Sequence, residues 1–173
     1  MPNALIYAKA LFALHEAGLL QDPACKGPVK IFIRQSSEDN NHWHLSTHYR
    51  SKKAAAKIQA ENIRTAAQYQ AFCRKKDNGL RHEHMVPGTV VYKLITSHDE
   101  PSVEAFHKIL RITGFRATIT REEDKLLLRK SVPNSFFDPN SAMYFHHLAR
   151  YIHAGIAGDL EARPAEGWFQ RAL

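Results

Sequence analysis

The chain lacks any apolar run near the roughly 20 residues that a membrane-spanning helix needs, so no membrane partner is expected. Cysteine is scarce. Only Cys25 and Cys73 occur, without CxxC spacing, which excludes a disulfide framework and a cysteine zinc site and fits a reducing cytoplasm. Internal repeats, low-complexity tracts and a marked domain boundary are missing too, and 173 residues suit one domain, residues 1–173, with its own core. Apolar content of 44% argues against wholesale disorder. Acidic residues are outnumbered: 17 Asp and Glu face 24 Lys and Arg, a net charge of +7 with 11 histidines taken as neutral. A field of that sign attracts polyanions, and nucleic acid is the commonest polyanion in a cytoplasm.

What is present reads as alternating helix and sheet. "ALIYAKALFALHEAGLL" has neither a basic start nor a small-residue cleavage site, so it reads as a core helix from Ala4 to about Ala17, capped by Asn3 and stopped by Gly18. Val29, Ile31 and Ile33 alternate in "PVKIFIRQ", the polar "SSEDNN" follows, and "HWHLSTHYR" alternates again. That pattern predicts two strands joined by a hairpin turn. His42, His44 and His48 then fall on a polar outer face. Ser51 is placed to cap a long helix over 52–76 with Ala55, Ile58, Ala66, Tyr69 and Cys73 along one side. "TVVYKLITS" and "PSVEAFHKILRITG" read as helices, "FRATIT" as a short strand and "REEDKLLLRKS" as a helix. "SAMYFHHLARYIHAGI" puts Phe145, Leu148, Ala149, Ile152 and Ile156 on one helical stripe, with His146, Arg150 and His153 opposite. The last dozen residues carry no clear pattern.

Chemistry concentrates in "LRHEHMVPG", Leu80 to Gly88. If Leu80 to His84 is a strand, His82 and His84 share one face as a candidate metal pair, and Glu83 takes the other. If the strand ends at Glu83, then Glu83 and His84 can both reach a common centre. On the second alternative, "EHMVP" followed by "ATITREEDKLL" resembles the His-Me finger (HNH-like) nucleases. Their core is a strand ending in an acid and a histidine, then a second strand and a helix.

The resemblance implies an α+β fold, a small antiparallel sheet flanked by helices with a candidate ββα-metal core. It further implies a metal-dependent endonuclease hydrolysing phosphodiester bonds in DNA or, less in keeping, RNA. His84 would be the general base on water, and Glu83 with Glu123 or Asp124 would ligate one divalent ion. Oxygen ligands at these positions favour Mg2+ or Mn2+ over zinc. Arg81 would hold the scissile phosphate, while Lys125, Arg129 and Lys130 along the following helix, and Arg150 further on, would contact the nucleic-acid backbone. The rival expectation is a non-catalytic basic module that binds nucleic acid or inhibits a protein partner and needs no metal.

Overall fold

A computed structural model describes residues 3–37, 45, 47–164 and 167–169. Its elements run α1 (Ala4–Glu16), α2 (Lys26–Gln35), β1 (Tyr49–Ser51), α3 (Lys52–Ala60), α4 (Ala66–Arg74), β2 (Leu80–His84), α5 (Gly88–Thr96), α6 (Val103–Thr113), β3 (Arg116–Thr120), α7 (Arg121–Asp124), α8 (Ala149–His153) and β4 (Leu160–Ala162). The architecture is α+β. Its four-stranded sheet has the order β2-β3-β1-β4 and is mixed: β1 runs parallel to β3, and the other two pairings are antiparallel.

One helical layer holds the largest apolar cluster. Ala4, Ala8 and Leu11 of α1 meet Val29 and Ile33 of α2, Val90, Val91 and Ile95 of α5, and Phe106 and Leu110 of α6. Here the expected strand at "PVKIFIRQ" is a helix instead. Val29 and Ile33 lie one turn apart and are both buried, whereas Ile31 is exposed. Three apolar residues at spacing two satisfy a strand template, but the outer two satisfy a helix equally, and packing against α1 and α5 decides. The "SSEDNN" turn beyond Ser37, with His42, Trp43, His44 and Ser46, lies outside the described residues; the strand that follows is Tyr49–Ser51.

Ser51 does cap a helix, its Oγ accepting from Ala54 N at 3.1 Å. The helix is not continuous over 52–76. It stops at Ala60, Asn62 takes a positive φ of 53°, and Thr65 with Gln68 starts α4 through reciprocal side-chain and backbone bonds. The "REED" helix ends at Asp124, and the long C-terminal stripe yields only the short α8, because Phe145 has a left-handed φ of 48°. Where the patternless last dozen residues begin, Leu160–Ala162 forms β4, an edge strand.

In the β2–β3 ladder, Leu80, His82 and His84 stand opposite Thr120, Thr118 and Arg116, while Arg81 and Glu83 stand opposite Ile119 and Ala117. Cross-strand partners share a face. The first set faces α3 and α4, where Leu80 packs with Ala54, Ile58, Tyr69 and Phe72. The second faces α8, where Ala117 and Ile119 pack with Met85, Leu127, Tyr151 and Ile156. The strand pair and the short helix after it follow the ββα order, with α5 and α6 inserted between the strands.

Candidate functional site

Strand β2 extends through His84, so the alternation of side chains governs where its chemistry goes. Glu83 points toward α8. Its carboxylate accepts a short hydrogen bond from the Tyr151 hydroxyl and faces the Arg150 guanidinium, with Nη2 3.5 Å from Oε2. Arg150 also donates from Nη1 to the carbonyl oxygens of His84 at 3.2 Å and Met85 at 3.3 Å, so it clasps the end of β2. Burial raises the Glu83 pKa, as does the charge of Asp124, while Arg150 and Tyr151 oppose them. Asp124 reaches the same side of the sheet and lies 3.6 Å from Arg81 Nε. Arg81, Glu83, Asp124, Arg150 and Tyr151 are thus brought together.

His84 is not part of that group. It points to the opposite face, where Arg116 Nη2 lies 3.4 Å from its Nε2. Burial, with the charges of Arg116, Arg34 and His48, pushes its pKa down to about 3. An imidazole so held is neutral throughout the physiological range and is a poor acceptor for a proton from water. His82 shares this face. Its Nδ1 lies 2.9 Å from Thr118 Oγ1 and its Nε2 lies 3.4 Å from Cys73 Sγ, so it contacts those groups rather than pairing with His84 around an ion.

Glu123 is turned away from both. It is 1% exposed, and its Oε2 accepts from Ser51 Oγ at 2.7 Å, Thr120 N at 2.8 Å and Thr120 Oγ1 at 3.0 Å. Glu123 N donates back to Thr120 Oγ1, which completes a capping box. This carboxylate pins the turn from β3 into α7 and ties it to the start of α3. The sequence carries the signal for that role in Thr120-x-x-Glu123, and it carries the same signal in Thr65-x-x-Gln68.

Two further assignments change. Lys125, Arg129 and Lys130 are exposed but follow the end of α7, so they do not form one helical face. Arg150 is 3% exposed and ion-paired, which makes it an internal brace rather than a contact for a backbone phosphate. Tyr151, beside it on α8, is wholly buried and donates to Glu83.

These positions do not compose a ligand shell for Mg2+ or Mn2+. Glu83 is engaged by a cation and a hydroxyl, Asp124 by Arg81, and Glu123 by three donors on Oε2, its buried Oε1 having no hydrogen-bond partner among the described residues. Among the described residues no group of three or more His, Cys, Asp or Glu side chains is arranged to hold a metal ion. No helix of the described residues is long and apolar enough to cross a membrane.

Cations do gather on the exposed rim of this region. Arg121 donates from N to Gly79 O and from its guanidinium to Lys76 O, and lies 3.5 Å from Asp77. Lys57 crosses Gly79, its Nζ 2.2 Å from where a Cβ would stand, and that residue's φ of 72° lies in the left-handed region that favours glycine. Glu122 feels the charges of Lys125 and Lys57. Lys57, Arg81, Arg121 and Lys125, with Lys76 on the adjoining turn, therefore lie about the start of β2, interspersed with Asp77, Glu122 and Asp124.

Compared with known proteins, the chain matches no protein-family model, no curated protein and no solved structure.

Proposed function

We propose that this chain is a basic nucleic-acid-binding module that engages backbone phosphates through the rim of Lys57, Lys76, Arg81, Arg121 and Lys125. The observation that supports the reading most is the placement of these five cationic residues, from α3, the α4–β2 turn, β2, and α7 with the residue after it, about the start of β2, an edge strand of the sheet. Contacts of this kind neutralise phosphates and release counterions, so they give affinity without reading sequence. The net charge of +7 adds long-range attraction. Backbone phosphates are common to DNA and RNA, so contacts of this kind do not separate the two, and duplex DNA is taken as the first partner to test.

The test is a filter-binding or anisotropy titration of duplex DNA and RNA over a range of salt. Binding should weaken steeply with salt, and Arg121→Gln or Lys125→Gln should each reduce the log–log slope by about 1. Slopes unchanged by both substitutions refute the assignment of this rim. Metal-dependent phosphodiester cleavage is the second reading, favoured by one observation, that Glu83 and Asp124 lie on a common face with Arg81. Plasmid nicking in Mg2+ or Mn2+ that is lost in Asp124→Asn, a variant whose stability should barely move, and kept in His84→Gln would support it.

A further inference from the structure

Arg50 poses a problem that the rim does not address. It is 6% exposed, and neither its Nε nor its Nη2 has a hydrogen-bond partner among the described residues. A buried guanidinium ordinarily finds a carboxylate or several carbonyls, because desolvating its charge is costly. Here the main compensation is aromatic. The Arg50 Cζ lies 4.2 Å from the centre of the Trp168 ring, 5.1 Å from Phe169 and 5.4 Å from Tyr69. Its cross-strand neighbour Glu161 is exposed and supports it through its charge, with no ion pair between the two among the described residues.

The same arginine lines a hollow of about 560 Å³ between α3, the turn into α4 and the Trp168–Phe169 segment. Arg64, Gln59 and Asn62 line it with Arg50, and no carboxylate does among the described residues. We propose that this hollow is a binding site for a phosphate monoester. Arg50 from its floor and Arg64 from its rim supply two positive charges to match the dianion, and the amides of Gln59 and Asn62 face the remaining oxygens. Trp168 and Phe169 offer flat surfaces on which a ring attached to the phosphate can stack. This assignment stands apart from the cationic rim, since none of the five rim residues lines the hollow.

The cover over Arg50 is the Trp168–Phe169 pair, with Phe169 also packed on Tyr69, ring centres 4.8 Å apart. Trp168 is tied by Nε1 donating to Thr47 O at 2.8 Å, and it follows Gly167, whose φ of 92° is open to glycine and strained for other residues. Engagement of the shielded Nε and Nη2 therefore moves Trp168, and the indole reports the event.

The experiment uses the full chain with Trp43→Phe, which leaves Trp168 as the single tryptophan of the two in the sequence. Inorganic phosphate, a nucleoside 5′-monophosphate, a 5′-phosphorylated oligonucleotide and its 5′-hydroxyl counterpart are titrated against Trp168 emission. Thermal melting of the unsubstituted chain is recorded in parallel. Saturable changes are expected from the phosphate-bearing ligands, together with a rise in melting temperature. Arg64→Gln, at an exposed position where folding is not at risk, should weaken each by about tenfold or more, as expected for one charge-assisted contact. Arg50→Lys should do the same.

Inorganic phosphate bound as tightly as the nucleoside 5′-monophosphate removes the stacking role of Trp168 and Phe169 and overturns the monoester assignment. A requirement for the 5′-phosphate on the oligonucleotide identifies a strand end. No saturation by any of these ligands at tens of millimolar, or equal affinity in Arg64→Gln, overturns the site. Neither result bears on the rim, whose variants are read by salt dependence on duplexes.

Discussion

The two faces of the β2–β3 pair use similar residue types to opposite ends. Toward α8, charges are closed on one another: Glu83 on Arg150 and Tyr151, Asp124 on Arg81. Toward α3 and α4, the imidazoles of His82 and His84 stand near Arg116, Thr118 and Cys73, and His84 stays neutral. The five residues of "LRHEH" thus deal their chemistry to both sides, because a strand alternates. Adjacency in sequence separates Glu83 from His84, while Glu83 meets Arg150 and Tyr151 from nearly seventy positions away.

The largest difference between the faces should appear on removing the centre of the closed one. Glu83→Ala leaves the buried Arg150 guanidinium and the Tyr151 hydroxyl without their acceptor. A loss of about 3–5 kcal/mol is expected by urea unfolding, the usual cost of breaking a buried pair from one side. Tyr151→Phe should cost only about 1 kcal/mol, since the ring still packs. If Glu83→Ala falls within the range of an ordinary surface substitution, the closed network contributes little and the contrast between faces collapses.

Acid should expose the other face. An imidazole whose folded pKa is about 3 binds fewer protons in the folded than in the unfolded chain between that value and about 6.5. Stability contributed by neutral His84 is therefore complete above about pH 6.5 and is lost as pH falls, by on the order of 2 kcal/mol at pH 5. Glu83 works in the other direction, because a raised carboxyl pKa makes protonation easier in the folded state. His84→Gln should flatten the acid limb and Glu83→Gln should steepen it. Parallel curves for both variants and the parent chain would remove the electrostatic distinction between the faces.

How much of this was readable beforehand follows from the range of the forces involved. Local signals served well: Gly18 as a stop, Ser51 as a cap, "FRATIT" as a strand and α1, α5 and α6 as helices. Each is decided within a turn or a pleat. The failures are tertiary. Val29, Ile31 and Ile33 fit two periods, and only the neighbours of α2 choose between them. Arg150 and Tyr151 sit on a helix too short for its stripe to set a phase, so burial follows their contact with β2 instead. Glu123 is the instructive intermediate. Its acidity suggests a ligand, yet its position three residues after Thr120 already marks it as a cap. Thr120→Val should cost about 1 kcal/mol by removing the hydroxyl from that box, with Ser51→Ala of similar size.

The smallest effect on stability is expected where the effect on binding is proposed. Arg81 and Asp124 form an exposed pair, with side chains 58% and 25% accessible, and such pairs contribute about 0–1 kcal/mol because water and salt screen them. Arg81→Gln should leave the unfolding midpoint nearly unchanged. The same substitution removes a cation from the rim, so the salt dependence of duplex binding should lose about one unit of slope. Asp124→Asn sharpens the point. It frees Arg81 from its carboxylate and lowers the local negative charge, so binding should tighten while stability again barely moves. A midpoint that drops with either variant, at unaltered salt slope, would make Arg81 a structural residue like Arg150 and move the phosphate-contacting surface elsewhere.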